Sequence, residues 1–375
     1  MHSRLINGAK MSTMQILSTI SAIIFIFAII LMILMQFFEI KKFKNMGIIF
    51  SIIAVVSLGL LAYSSYFSSG SDIHRYYQML AEFKGKDFAY AQRNGIYKNS
   101  FVTNLLFWLI AQTGKYQLLP MISTATVVAC LCYIVLKENK LKTLKTSVVC
   151  VFFVHVLAIT GIQNVISGVR QYLMVAIFSL AIYRDYRLGK RNLLTILLYL
   201  IACMIHLSAL FFVLIRLCAV VKGKLKFLYL FWALLIPFAE MIPEMNEIVE
   251  EALFKLGSYQ EIADVDIRLY IVQIIMLVVI AWKYLIVINK TEKSPYLNFM
   301  GVFILFNFGS IAIMHLFIRQ VATLSFLCLP LFSDFNAVAT KNQRKIGLWF
   351  GAFLCLGLLA YQAVFAVNYW EFISI

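Results

Sequence analysis

The chain has 375 residues, of which 62% are hydrophobic, 15% aromatic and 13% charged, and its formal net charge is +16. A mean hydropathy of +0.88 and repeated apolar runs of about 20 residues exclude a soluble globular protein and define an all-α polytopic integral membrane protein. The positive charge does not indicate nucleic acid: Lys and Arg lie mostly in short loops between apolar runs, where they orient helices and meet anionic headgroups, and no soluble module remains to bind a polynucleotide.

Apolar length places the spans and the basic loops orient them. The first, Met14 to Phe37, is too long for a signal-peptide core and leads to the cytoplasmic loop of Lys41, Lys42 and Lys44. The second, Met46 to Phe67, delivers Asp72, His74 and Arg75 to the outer surface. A polar external segment from Ser68 to Ser100 follows, with room for an amphipathic helix. Next come Phe101 to Gly114 and a full span ending at Lys137. The cluster Lys137, Lys140, Lys142 and Lys145 is cytoplasmic if one of these two crosses, so Phe101 to Gly114 is read as an interfacial or re-entrant helix; two true spans with the cluster outside is the alternative.

From Thr146 to Val165 the chain returns outward, and NVISG makes the turn. Arg170 then opens an apolar helix running to Tyr183. The basic segment Arg184, Arg187, Lys190 and Arg191 is the strongest cytoplasmic signal in the sequence. The apolar stretch from Asn192 to Val221 lies between that cluster and Lys222, Lys224 and Lys226, so it goes out and comes back as a short hairpin turning near His206 and Ser208. A single tilted span is the alternative.

A span from Phe227 to Met241 leads to an acidic external segment holding Glu240, Glu244, Glu247, Glu250, Glu251, Glu261, Asp264 and Asp266. Spans follow from Leu269 to Ile288 and from Pro295 to Met314. His315 and Arg319, four residues apart, open the next helix on the outer side, and the chain returns to Lys341, Arg344 and Lys345 before a last span from Ile346 to Val367. The whole amounts to about 11 to 13 spans in a single membrane domain, 1–375, with external loops at about 68–115 and 240–267. The seven cysteines lie in or beside apolar runs and have no CxxC or Cys/His ligand spacing, so neither a disulfide framework nor a metal site is expected.

Three separate segments thus aim ionisable groups at the outer half of the membrane: Asp72 with Arg75, Arg170 with His206, and His315 with Arg319. Such groups are costly at membrane depth and are functional suspects by default. Arginines that open helices on one face favour an anionic ligand such as a diphosphate, because guanidinium binds phosphate oxygens bidentately and helix N-termini add partial positive charge. Each has a plainer reading: snorkelling anchors for Arg170 and Arg319, a histidine bonded to a neighbouring helix for His206, a helix cap for Asp72, and interfacial packing for Tyr76 and Tyr77. Arg216 is read with the cytoplasmic snorkelling set.

The order GSDIHRYY, SGVRQYLMVAIFSLAIY, a basic loop, IHLSALFF and HLFIRQVATLSFLCLPLF, from about residue 45 to 340, resembles the EpsG family of bacterial polysaccharide polymerases, related in role to Wzy-type polymerases. The family's Asp followed by Tyr is matched by Asp72 and Tyr76, its helix-opening Arg by Arg170, and its His followed by a small residue by His206 and Ser208. The resemblance implies polymerisation of polyprenyl-diphosphate-linked oligosaccharides into exopolysaccharide, capsule or O-antigen at the outer face of the bacterial cytoplasmic membrane. Arg170 and Arg319 would hold the diphosphate and Asp72 or His206 would be the base, with Arg75, His315 and Tyr76 as secondary candidates and no metal or cofactor required. A flippase and a chain-length regulator are the implied partners, besides the bilayer. A flippase for the same lipids and a membrane acyltransferase using His206 or His315 are the competing readings.

Overall fold

The structure is a computed structural model that describes residues 46–65, 72–95, 100–142, 162–206, 208–220, 267–292, 294–311 and 314–347, with scattered positions between 13 and 27. All regular secondary structure among them is helical. The expected spans at 227–241 and 346–367 and the acidic segment at 240–266 lie outside the described residues, as does most of the span at 14–37.

The described residues form two compact units, one of 46–129 and 162–173 and the other of 130–142 and 174–347. In the first, α1 (Met46–Ser64) is the expected second span. Its Ser51, Ser57 and Ser64 hydroxyls donate to carbonyls four residues back, which satisfies them without an outside partner. The polar segment that follows folds into α2 (Asp72–Phe83) and α3 (Phe88–Asn94). Apolar residues at helical spacing give α2 its buried face of Ile73, Tyr76, Met79, Leu80 and Phe83. Asp87 caps α3, its carboxylate accepting from the Tyr90 N–H at 2.7 Å.

Both helices lie on α4 (Phe101–Thr113), with Tyr76 edge-on to Phe107 and Phe88 edge-on to Trp108. Gln112 and Trp108 of α4 donate to the Phe83 and Lys86 carbonyls at 3.0 and 2.8 Å, fixing the turn between α2 and α3. A helix of 13 residues is about 20 Å long, short of the ~30 Å hydrocarbon core, so its length and polar neighbours fit an interfacial position. It stops at Gly114, whose φ of 68° suits glycine. α5 (Leu118–Lys142) is a full-length apolar helix. The turn expected over NVISG is instead helix α6 (Ile162–Ser167), joined to α7 (Val169–Ile182) through Gly168. Gly168 N–H donates to the Asn164 carbonyl at 2.8 Å, so helical bonding carries through the junction, and a Cβ there would lie 2.9 Å from the Tyr172 ring.

In the second unit α7 runs into a π-turn, Tyr183–Arg187. It is followed by α8 (Leu193–Ile205), α9 (Ser208–Val220), α10 (Ile267–Lys290), α11 (Pro295–Gly309), α12 (Met314–Leu327) and α13 (Leu329–Val338). α8 and α9 form the expected hairpin. Tyr199 and Arg216 stand on either side of the break, yet both reach the same Asp185 oxygen, at 3.2 Å and at 3.0 and 2.6 Å. In one continuous helix they would be about 25 Å apart. α10 is the expected span, whereas α11 stops at Gly309 rather than continuing to Met314. The return from Arg319 is not one straight helix: α12 and α13 are bent by 56°. Pro330 in the first turn of α13 contributes no N–H, and the Tyr296 hydroxyl staples the break, donating to the Leu327 carbonyl at 2.7 Å and accepting from the Leu331 N–H at 3.1 Å.

Candidate functional site

In the first unit, Arg170 lies in the first turn of α7, partly buried. Its Nη2 donates to Ser100 Oγ at 3.1 Å. Ser100 holds the N-cap position of α4 without a side-chain capping bond, and its hydroxyl accepts from the guanidinium. The Ser123 hydroxyl donates to the Val169 carbonyl at 3.2 Å and fixes the start of α7 against α5. Arg170 therefore stands beside the positive N-terminal end of α4, an arrangement that favours an anion.

Asp72 is the first residue of α2, and its carboxylate accepts from Arg75 one turn on. Both side chains face solvent, at 48% and 63% exposure. Tyr76 points the other way; it is buried with its ring against Phe107, so it serves the packing of α2 on α4.

In the second unit, His206 ends α8 and occupies the hairpin break, half-buried. The Ser208 N–H donates to His206 Nδ1 at 3.2 Å, and Ser208 Oγ lies 2.8 Å from the same nitrogen. A nitrogen accepting a backbone N–H carries no proton, so this bond assigns the neutral tautomer with its proton on Nε2. Arg319 lies partly buried in the second turn of α12, and His315 in the first; the His315 side chain lies outside the described residues. Asp72, Arg75, Tyr76 and Arg170 thus belong to one unit, and His206, His315 and Arg319 to the other.

Sequence reasoning missed a different set of charges, at the other end of α7. In the π-turn three of five consecutive residues, Tyr183, Asp185 and Tyr186, are buried. The wider turn, closed by Leu188 N–H to the Tyr183 carbonyl at 3.1 Å, lets this stretch face several neighbours at once. Arg187 forks between two acids: Nε and Nη2 donate to Glu138 of α5 at 2.8 and 2.9 Å, and Nη1 and Nη2 to Asp334 of α13 at 2.9 and 2.7 Å. Asp185 accepts from Arg191 at 2.9 Å and from both hairpin arms. The Arg216 guanidinium also lies over the Tyr186 and Tyr199 rings, 5.5 and 5.8 Å from their centroids. Buried Lys283, within apolar α10, has its ammonium 4.1 Å from the Phe332 centroid.

The available signal was acidic rather than basic. Asp185 inside RDYR and Asp334 inside the apolar LPLFSDFNAV are carboxylates in apolar helices, where a charge needs a partner. Arg187 and Arg216, read from sequence as topology markers, are those partners. Among the described residues no group of three or more His, Cys, Asp or Glu is arranged to hold a metal ion.

The sequence profile of the EpsG family matches residues 48–374. No curated protein and no solved structure matches the chain. The match covers most of the sequence, and the chain belongs to the EpsG family.

Proposed function

We propose that this EpsG-family membrane protein is a polysaccharide polymerase that joins oligosaccharide repeat units carried on polyprenyl diphosphate at the outer face of the bacterial cytoplasmic membrane. Family membership supports the polymerase class. The observation that carries the substrate class is Arg170 at the opening of α7, bonded to a Ser100 hydroxyl that leaves α4 without a side-chain cap. A guanidinium beside the α4 N-terminus suits a diphosphate in a site partly shielded from water.

In the proposed reaction, a hydroxyl oxygen at the non-reducing end of the incoming lipid-linked unit attacks the anomeric carbon of the growing chain. The new glycosidic bond forms as the bond from that carbon to the diphosphate oxygen breaks, and polyprenyl diphosphate leaves. The hydroxyl proton goes to a base and the charge developing on the leaving diphosphate is met by Arg170. Asp72 is the better base of the two considered: it is exposed, and Arg75 orients its carboxylate. His206, whose Nδ1 accepts from the Ser208 N–H, is less available as a base.

Reconstitution of the purified protein with defined lipid-linked repeat units tests this reading. Longer glycans with release of free polyprenyl diphosphate are expected. Movement of the lipid across the bilayer without chain growth would replace the polymerase by a flippase, and transfer of an acyl group would replace it by an acyltransferase. Wild-type polymer from both Arg170→Ala and Asp72→Asn would remove the site while leaving the class standing.

A further inference from the structure

Three carboxamides inside the second unit belong to none of the chemistry above. Gln273 on α10, Asn307 on α11 and Gln320 on α12 are 3%, 0% and 2% exposed. Each leaves its side-chain carbonyl oxygen buried without a hydrogen-bond partner. One such orphan acceptor is expensive, and here three lie on helices that pack pairwise against one another.

They share one level of the bundle. The Tyr270 hydroxyl of α10 donates to the Ile311 carbonyl just beyond α11, and its ring stands edge-on to Phe317 of α12 at 5.4 Å, so these residues mark a common layer. From that layer Gln273 is three residues along α10, Gln320 is three residues along α12, and Asn307 is four residues back along α11. α10 and α12 run away from the layer and α11 runs toward it, so each step is one turn in the same direction. The next turn is apolar again: Met276, Leu277, Phe303 and Leu324 are all 0% exposed. An aromatic layer thus closes the amides on one side and an aliphatic and aromatic layer on the other.

The orphan atoms are all acceptors. Asn307 Nδ2 donates to the Phe303 carbonyl at 2.8 Å, so turning this amide over would break that bond; its oxygen orientation is set. The buried hydroxyls of Ser310 and Thr323 give their protons to the Asn307 and Arg319 carbonyls at 3.0 and 2.9 Å, and their lone pairs add two more oxygens on adjacent turns. One water has two protons to offer three acceptors, whereas a cation is shared among several oxygens. The sequences of α10, α11 and α12 contain no Asp or Glu. An oxygen set without a carboxylate suits a single positive charge better than a divalent ion, which needs charged ligands to offset its dehydration.

We propose that this layer is a buried monovalent-cation site, with the side-chain carbonyl oxygens of Gln273, Asn307 and Gln320 as its ligands. The bound ion would tie α10, α11 and α12 together at the level of α12 where Gln320 directly follows Arg319.

Thermal unfolding of the purified full-length protein in sodium, potassium, lithium and choline chloride at constant ionic strength reads this directly. The midpoint should rise saturably with at least one alkali cation and not with choline, as binding to the folded state requires. Gln320→Met, nearly isosteric, should abolish that dependence while leaving the midpoint in choline unchanged or higher, because the orphan acceptor is gone. Should this variant fail to fold, Gln273→Met carries the same expectation, and Ser333→Ala on α13 should keep the wild-type dependence. Equal midpoints in all four salts would overturn the proposal, as would a Gln320→Met protein that keeps its cation dependence. A wild type insensitive to cations with a stabilised Gln320→Met variant would assign the layer to water instead.

Discussion

Two arginines stand at the two ends of one helix and do opposite things. Arg187, in the π-turn that ends α7, donates to both oxygens of Glu138 and of Asp334, carboxylates that are 1% and 8% exposed. Arg170, in the first turn, donates to a neutral hydroxyl at the mouth of another helix. In the first case the cation exists to neutralise buried acids and its geometry is complete without a ligand. In the second, the bonded partner is a hydroxyl at a helix N-terminus, a position that favours an anion arriving from outside. Burial of an arginine in an apolar helix therefore does not separate a structural charge from a functional one; the chemistry of its partners does.

Folding and activity should respond in opposite orders along this contrast. The largest effect on folding is expected from Arg187→Met, which strands two buried carboxylates and should cost about 3–5 kcal/mol, read as a collapse of monodisperse protein in detergent. The triple variant Arg187→Met, Glu138→Gln, Asp334→Leu should recover much of that loss, because the charges leave together. If Arg187→Met alone is as stable as wild type, the ion network is not structural and the contrast breaks.

Tyr296→Phe comes next. It removes the hydroxyl that serves Leu327 and Leu331 at the bend between α12 and α13, and about 1–3 kcal/mol of stability should be lost, measured as a lower unfolding midpoint. Arg170→Ala should cost less stability than Arg187→Met, because the Ser100 partner it leaves behind is uncharged, yet lower chain growth roughly a hundredfold in the reconstituted assay. A destabilisation as large as that of Arg187→Met would make Arg170 a structural residue too. The smallest folding effect belongs to Asp72→Asn, since exposed ion pairs such as Asp72 with Arg75 contribute about 0–1 kcal/mol. Its chain-growth rate should nevertheless fall by roughly 10²-fold or more if Asp72 is the base.

Much of the architecture was legible because it is written in local patterns. Apolar length located α1, α5 and α10, and the bracketing basic clusters required a hairpin that breaks at His206. Arg170 and Arg319 were placed in the opening turns of their helices for the same reason. Local composition failed where hydrogen bonding continued through residues that resemble a turn, as at Asn164 and Gly168, and where a side chain distant in sequence repaired a break, as Tyr296 does for Cys328.

The sequence by itself determined which long segments are helical and apolar and which residue types they carry, because hydropathy and helical period are properties of neighbouring residues. Tertiary structure alone decided which charges are neutralised. Arg187 meets one acid 49 residues away and another 147 residues away, and Asp185 meets a guanidinium 31 residues away. Such pairings depend on which helix faces pack together, and no local pattern records that. The same packing gathered three uncharged amides into one level of the bundle, where each alone would read as an ordinary polar residue in an apolar helix.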